Sequence, residues 1–181
     1  MHLNILFLDI DGVLNLEGSR HPDVFAPGCV RELRRILDHN PRNHVVFSTA
    51  WRIGFPFFVL GGLWQRHGLP SDRVLGRTPI LRNADRGVEI EQWLEDASVR
   101  HPDHRIQRIA VLDDVAEPVL RHLPEDAVFP CDPRRGLTAG IAEAIIRRFG
   151  DAPAPPARVT SRRGNPPRRA AVLTAPWMAL A

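Results

Sequence analysis

Three short apolar segments, each followed by acidic or hydroxyl residues, constrain the fold of this chain more than any other feature. They are residues 4–8, which lead into Asp-Ile-Asp-Gly, residues 44–47, which lead into Ser-Thr, and residues 109–112, which lead into Asp-Asp. A continuous apolar run of this length is typical of a parallel strand that is buried on both faces. Residues 127–129 are a fourth candidate strand. Because the carboxyl ends of parallel strands meet at one edge of a sheet, the pattern predicts a site as well as a fold.

Amphipathic segments alternate with these strands. Apolar side chains recur at helical spacing in four places, residues 27–38, 88–97, 116–123 and 138–149. Pro27 suits the first turn of the first helix, and Thr138 suits the cap of the last. Strands that alternate with helices predict an α/β fold, here a three-layer sandwich around a mostly parallel, Rossmann-like sheet.

Length and composition indicate one globular domain. A chain of 181 residues that is 44% hydrophobic can bury a core without disulfides or a structural metal. Cys29 and Cys131 lie in no metal-ligand pattern and are predicted to be small buried hydrophobes. No segment approaches the ~20 apolar residues of a membrane span, and no basic residue precedes the first apolar run. The prediction is a cytoplasmic protein without a membrane partner.

The positive charge is concentrated near the C-terminus. All 24 basic residues are Arg, and residues 151–181 carry five of them against one Asp, whereas residues 1–150 carry a net charge of −1. We therefore divide the chain into a folded body, residues 1–150, and a Pro-, Ala- and Arg-rich tail, residues 151–181, predicted to be disordered. The tail could bind nucleic-acid phosphates, or it could be a solvated appendage without a partner.

Four aspartates are predicted to meet at the carboxyl edge of the sheet. Asp9 and Asp11 are two positions apart at a strand end, so both carboxylates face the same side if the chain stays extended, and Asp113 and Asp114 arrive from another strand. At ~4 Å and an effective dielectric near 20, each pair of carboxylates costs about 4 kcal/mol, so the cluster requires a proton or a cation. Mg²⁺ suits a site of few carboxylates completed by water and a phosphate.

Two other interpretations apply to the Asp-x-Asp pair. An EF-hand calcium loop is excluded because Gly12 follows directly after the second Asp. A purely structural role, in which Asp9 caps a turn and Asp11 is solvated, is the usual explanation of an isolated pair. It is disfavoured here because three strand ends carry complementary chemistry.

Four motifs in order resemble those of the haloacid dehalogenase (HAD) superfamily. They are residues 7–15 (Phe-Leu-Asp-Ile-Asp-Gly-Val-Leu-Asn), residues 45–48 (Val-Val-Phe-Ser), Arg86 at a helix start, and residues 111–114 (Val-Leu-Asp-Asp). The strings Ser-Thr-Ala-Trp-Arg at 48–52 and Arg-Gly-Val-Glu-Ile-Glu-Gln-Trp-Leu at 86–94 are similar to the branch named for Swiss Army Knife RNA repair proteins. The resemblance covers nearly all of the body and implies a HAD-type phosphatase.

The resemblance implies a role for each motif residue. Asp9 attacks phosphorus and becomes an aspartyl phosphate, while Asp11 protonates the leaving oxygen and later deprotonates water. True dehalogenases of the superfamily lack the second Asp, so Asp11 favours phosphoryl chemistry. Ser48 would donate its hydroxyl to a phosphoryl oxygen, with Thr49 as a weaker candidate because strand alternation points it the other way.

The same resemblance implies the metal ligands and a cation. Mg²⁺ would be held by the Asp9 carboxylate, the Asp11 backbone carbonyl and Asp114, with Asp113 orienting or assisting. The superfamily usually has Lys where this chain has Arg86, and Arg is the only strong cation in a chain without Lys. Arg82 competes with Arg86 for this position.

The substrate is predicted from the intervals between the motifs. The segments from Gly12 to the first helix and from 50 to 85 are too short for a full cap domain, so the site should be open. Open sites in this superfamily tend to act on phosphates of macromolecules, which favours RNA or DNA ends or nucleotides. Trp51 could stack on a base and Arg52 could reach the substrate, although a solvated surface charge is an equal alternative for Arg52. The alternative function is a non-catalytic nucleic-acid-binding protein that uses the Arg-rich tail on a degenerate scaffold.

Overall fold

Five strands form the centre of the protein. A computed structural model describes residues 2–19, 24–100 and 103–151; the predicted tail beyond 151 lies outside the described residues. The strands run in chain order as β1 (His2–Leu8), β2 (Asn43–Phe47), β3 (Val74–Arg77), β4 (Arg105–Asp113) and β5 (Val128–Pro130). They are arranged in the order β3-β2-β1-β4-β5, and every neighbouring pair is parallel. The predicted parallel sheet is confirmed.

Helices connect the strands. They are α1 (Pro27–His39), α2 (Trp51–Gly54), α3 (Phe57–Arg66), α4 (Arg86–Arg100), α5 (Glu117–Leu120) and α6 (Ala139–Phe149), with short 3₁₀ turns at Ser71–Arg73 and Glu125–Ala127. Thr138 caps α6 as predicted, since its hydroxyl accepts the backbone N–H of Ile141 at 3.4 Å. None of the helices in the described residues has both the length and the apolar composition that a membrane span needs.

Two hydrophobic clusters, one on each face of the sheet, give the three layers. Along β1, Leu6 and Leu8 belong to the cluster that contains α1, α3 and α6, whereas Ile5 and Phe7 belong to the cluster with α4 and α5. This alternation is the reason that β1 is apolar at every position from 5 to 8. The predicted three-layer sandwich is therefore confirmed, with β1 at its centre.

The stretch between β2 and α4 contains elements that the sequence did not reveal. Residues 50–85 form α2, α3, a 3₁₀ turn and β3, and they contain no inserted cap domain. β3 lacks a recognisable pattern because it has four residues, including Gly76 and Arg77, and lies at the sheet edge. α3 contains Gly61 and Gly62, which weaken its helical signal.

Candidate active site

Asp9 lies directly beyond the carboxyl end of β1. Its backbone N–H donates to the carbonyl of Leu112 on β4 at 3.0 Å, which continues the strand pairing by one residue. The side chain is 5% exposed, and its Oδ1 accepts the backbone N–H of Ile10 at 2.7 Å. One carboxylate oxygen is therefore fixed by the backbone, and Oδ2 is available to other partners.

The chain turns sharply after Asp9. The carbonyl of Ile10 accepts the N–H groups of Val13, Leu14 and Asn15, at 3.2, 2.8 and 2.9 Å. Gly12 has a φ of +67°, a conformation that glycine adopts without a Cβ clash. This tight loop brings Gly12 against Asp114, which follows β4.

β4 ends in the second pair of aspartates. Asp113 is fully buried, and its Oδ1 accepts the backbone N–H of Val115 at 2.8 Å. Burial raises the pKa of Asp113 to about 6; the guanidinium of Arg86 opposes this rise, and the charge of Asp9 adds to it. Burial, reinforced by Asp9, also raises the pKa of Asp114. Both carboxyls therefore lie in a negatively charged, poorly solvated environment.

Arg86, the first residue of α4, lies between two of these carboxylates. Its Nη1 donates to Asp9 Oδ2 at 2.5 Å and to Asp113 Oδ2. Burial alone would lower the pKa of Arg86, but the two carboxylates outweigh it and raise the pKa. The start of a helix carries a partial positive charge, which disfavours a cation at this position. The two carboxylates therefore provide the stabilisation of Arg86. Arg82, the competing candidate, is exposed.

The arrangement fits a divalent cation. Asp9, Asp113 and Asp114 each offer a carboxylate oxygen, and these atoms lie within 4.8 Å of one another. At that distance and an effective dielectric near 20, each pair repels by roughly 3.5 kcal/mol. Three carboxylates against the one guanidinium leave two negative charges to balance. Hard oxygen donors with that charge are the ligands that Mg²⁺ prefers.

We expect Gly12→Ala to weaken divalent-ion binding. An added Cβ would lie 2.4 Å from Asp114 Oδ2 and 2.5 Å from its Cγ, so the carboxylate must move. The expected loss of Mg²⁺ affinity, measured by calorimetry, is about tenfold or more, by analogy with residues that orient metal ligands.

Gly18→Ala is the matched control for that substitution. Gly18 has a φ of +79°, similar to that of Gly12, but no atom of the described residues lies within 4 Å of an added Cβ. The control should lose only the roughly 1 kcal/mol that a left-handed backbone costs and keep its Mg²⁺ affinity. Equal Mg²⁺ affinity in Gly12→Ala and Gly18→Ala would contradict the expected clash.

The carboxylate of Asp11 does not join this cluster. Asp11 is exposed, and its Oδ1 accepts from Asn15 Nδ2 at 3.0 Å. Its Oδ2 accepts from the indole Nε1 of Trp51 at 2.7 Å. The group of Asp11 that could still bind a metal is its backbone carbonyl, as the resemblance implied. The contact with Trp51 links the loop after β1 to the segment after β2, for which the sequence predicted separate roles.

Ser48 and Thr49 follow β2 and are both fully buried. The N–H of Ser48 donates to the carbonyl of Leu8 at 2.8 Å, which places Ser48 beside Asp9. Ser48 Oγ has no hydrogen-bond partner among the described residues. Thr49 Oγ1 instead accepts the backbone N–H of Trp51 at 3.3 Å. Thr49 Oγ1 is thus an acceptor in the turn that begins α2, and the predicted contact of Thr49 with substrate stays a prediction.

Arg52 was predicted to reach the substrate or to be a solvated surface charge; the second alternative is wrong because the side chain is buried, and the first stays a prediction. The side chain is 4% exposed and forms an ion pair with the buried Glu89 on α4. Its Nη1 donates to the carbonyl of Thr49 at 2.5 Å, and Glu89 Oε1 accepts the N–H of Leu81 at 3.1 Å. Arg52 thus connects the loop after β2 to α4, close to the helix start that carries Arg86.

Sequence analysis missed Asn15 and Glu89. Asn15 lies four positions after Asp11 and is the last residue of the first motif, but its type suggests no role there. Glu89 follows Arg86 by one helical turn, so its position within the 86–94 string was a usable signal. The pairing of Glu89 with Arg52 spans 37 positions and leaves no local pattern.

The carboxyl ends of β1 and β4 bring Asp9, Asp113 and Asp114 together, and the guanidinium of Arg86 lies between two of them. This arrangement on a parallel α/β sheet defines the HAD type of domain. The family model described as "HAD domain in Swiss Army Knife RNA repair proteins" matches residues 5–142. The chain belongs to this family. No curated protein and no solved structure matches it.

Proposed function

We propose that the protein is a Mg²⁺-dependent phosphohydrolase that acts through an aspartyl phosphate on Asp9. The observation that carries this proposal is the convergence of Asp9, Asp113 and Asp114 within 4.8 Å at the carboxyl edge of the sheet. Family membership supports the same reaction class. The residues that would hold Mg²⁺ are Asp9, Asp114 and the carbonyl of Asp11, with Asp113 assisting. When bound, the ion neutralises charge on the phosphoryl group.

Asp9 supplies the nucleophile. A carboxylate oxygen of Asp9 forms a bond to phosphorus as the bond from phosphorus to the leaving oxygen breaks. Ile10 holds Oδ1 through its N–H, and Arg86 holds Oδ2, so the carboxylate cannot rotate away. Asp11 gives its proton to the leaving oxygen and then takes one from the water that releases phosphate and regenerates Asp9.

Ser48 and Arg86 are proposed to bind the phosphoryl oxygens. The Ser48 hydroxyl is buried and unpaired among the described residues, and an orphaned hydroxyl of this kind costs stability unless a ligand engages it. It lies directly after β2, the strand that pairs with β1. Arg86 offers the positive charge that a transferred phosphoryl group requires.

The proposed substrate is a phosphate at the end of a nucleic acid or on a nucleotide. Residues 50–85 insert no domain above the site, which leaves room for a large substrate. The segment after β2 also exposes apolar side chains, including Phe58 at 78% and Ile53 at 66%, which suit contact with bases. Nucleic-acid binding by the Arg-rich tail concerns residues outside the described ranges and stays a prediction.

The proposal is tested by hydrolysis assays on a panel of phosphates. The wild-type protein should release phosphate from 4-nitrophenyl phosphate with Mg²⁺ and lose this activity in EDTA. Among 3′- and 5′-phosphorylated oligonucleotides, mononucleotides, phosphopeptides and sugar phosphates, an oligonucleotide or nucleotide should have the highest kcat/KM. Turnover that survives EDTA would contradict the Mg²⁺ requirement, and preference for a phosphopeptide or sugar phosphate would contradict the substrate class.

A further inference from the structure

Both carboxylate oxygens of Asp11 accept an N–H group. Asn15 Nδ2 donates to Oδ1 at 3.0 Å, and Trp51 Nε1 donates to Oδ2 at 2.7 Å. The terminal torsion of an aspartate is otherwise soft, and an exposed carboxylate samples a broad range of orientations. Two donors on opposite oxygens hold the plane of the Asp11 carboxylate in one orientation.

The two donors differ in origin. Asn15 belongs to the same loop as Asp11, and the two residues form a backbone bridge. Trp51 comes from the segment after β2 and begins α2, 40 positions along the chain. The indole therefore ties the orientation of Asp11 to a part of the fold beyond its own loop.

Trp51 is itself held firmly. Its backbone N–H donates to Thr49 Oγ1 at 3.3 Å, and its half-buried ring packs against the hydrophobic cluster that contains α1, α3 and α6. The ring also contacts Phe55, with centroids 5.4 Å apart and planes tilted by 45°. A rigid, packed donor restrains Asp11 without losing much side-chain entropy of its own.

The chemistry of the indole adds directionality. Its Nε1 is a donor only, so it cannot accept a proton from Asp11. When Asp11 is protonated, the O–H group must therefore point away from the indole. When Asp11 gives that proton up, the new carboxylate already has an aligned N–H, and hydrogen bonds to an ionised acceptor are the stronger kind.

We propose that Trp51 is a positioning residue that holds Asp11 in the orientation for proton transfer to the leaving oxygen. The inference rests on the proposed phosphohydrolase function and deepens it. In the step concerned, the O–H bond of Asp11 breaks, its proton passes to the leaving oxygen, and phosphorus passes from that oxygen to Asp9. The indole N–H thus donates a hydrogen bond to Asp11, whereas the sequence predicted that the ring would stack on a base.

The test uses Trp51→Phe and two phosphates that differ in their need for a proton. The leaving group of ethyl phosphate is an alkoxide, which must be protonated as it departs. The leaving group of 4-nitrophenyl phosphate is a phenolate, which is stable without a proton. General acid catalysis is typically worth 10²–10⁴-fold, and losing the orientation should remove part of it. We expect kcat/KM of Trp51→Phe to fall about 10–100-fold on ethyl phosphate and by less than about 3-fold on 4-nitrophenyl phosphate.

The control is Trp93→Phe, the same substitution on α4, where the ring packs edge-on against Phe7 and has no contact with Asp11 among the described residues. Its ratio of kcat/KM between the two phosphates should equal that of the wild type. Equal losses on both phosphates in Trp51→Phe, or no loss on either, would overturn the positioning role while the proposed function stands. Absence of wild-type turnover on the whole substrate panel would overturn the proposed function and the catalytic part of this inference with it.

A second readout does not depend on activity. The indole N–H resonance of Trp51 is identified by its absence from the ¹H–¹⁵N spectrum of Trp51→Phe. Asp11→Ala removes its acceptor, so this resonance should move upfield and exchange faster with water. An unchanged resonance would show that the indole does not donate to Asp11 in solution, and would overturn the inference whatever the enzyme's turnover.

Discussion

Asp9→Asn is expected to reduce turnover of 4-nitrophenyl phosphate by about 10⁴-fold or more, because an amide cannot supply the attacking oxygen. The substitution keeps the shape of the side chain. The amide oxygen can still accept the N–H of Ile10, and Arg86 keeps its second partner, Asp113. The amide NH2 then faces the Arg86 guanidinium, donor against donor, but this cost is offset because one charge is removed from three mutually repelling carboxylates. The melting temperature should therefore stay close to that of the wild type. Steady-state kinetics with Mg²⁺ and a thermal melt together check both parts.

Asp38→Asn provides the same chemical change away from the site. Asp38 is an exposed residue of α1, so this variant should keep wild-type turnover and stability. Turnover of Asp9→Asn within about 100-fold of the wild type would remove Asp9 from the nucleophile's role, since that loss is too small for a missing nucleophile. In that case the buried aspartates would still have to be explained, but as a metal site alone.

Arg86→Ala is expected to reduce turnover strongly and to destabilise the metal-free protein. Removal of the guanidinium leaves the buried carboxylates of Asp9 and Asp113 without their shared cation. Breaking a buried ion pair by removing one partner costs about 3–5 kcal/mol, and the value here should lie near the lower limit because Arg86 is partly exposed. The loss of turnover should be about 10³-fold, the scale of other cations that stabilise a transferred phosphoryl group.

Mg²⁺ separates the two consequences of that substitution. A divalent ion at the aspartates supplies positive charge, so millimolar Mg²⁺ should restore most of the melting temperature of Arg86→Ala but not its turnover. Arg86→Lys retains the charge and should keep turnover within about tenfold of the wild type, while its ammonium replaces the planar guanidinium. Arg82→Ala, at an exposed position, should change neither property. Loss of turnover in Arg82→Ala with retention in Arg86→Ala would transfer the role to Arg82.

The architecture could be predicted because it follows from local patterns. β1 is apolar from residue 5 to residue 8 since both of its faces are buried, and that alone indicates a central parallel strand. β3 escaped prediction because an edge strand of four residues needs little apolar sequence. Its place in the sheet is determined by pairing with β2 rather than by its own composition.

The candidate site was only partly predictable. The acidic residues were found because each lies at or just beyond the end of a strand, so their approach to one another is a consequence of the topology. The burial of Arg52 was missed because the sequence gives no sign of Glu89 as its partner, 37 positions away. The contact of Thr49 Oγ1 with the N–H of Trp51 is local, but it depends on the turn that begins α2, which the sequence did not reveal.

The four predicted strands and their alternation with helices, the parallel sheet and the meeting of Asp9 with Asp113 and Asp114 were determined by the sequence itself. They depend on which residue ends each strand, and that information is contiguous in the chain. The tertiary structure alone decided that Arg86 bridges the carboxylates, that Trp51 donates to Asp11 and that Arg52 is buried. The physical reason is that such contacts depend on where α2 and α4 begin relative to the sheet edge, and those positions follow from packing between segments that are distant in the sequence.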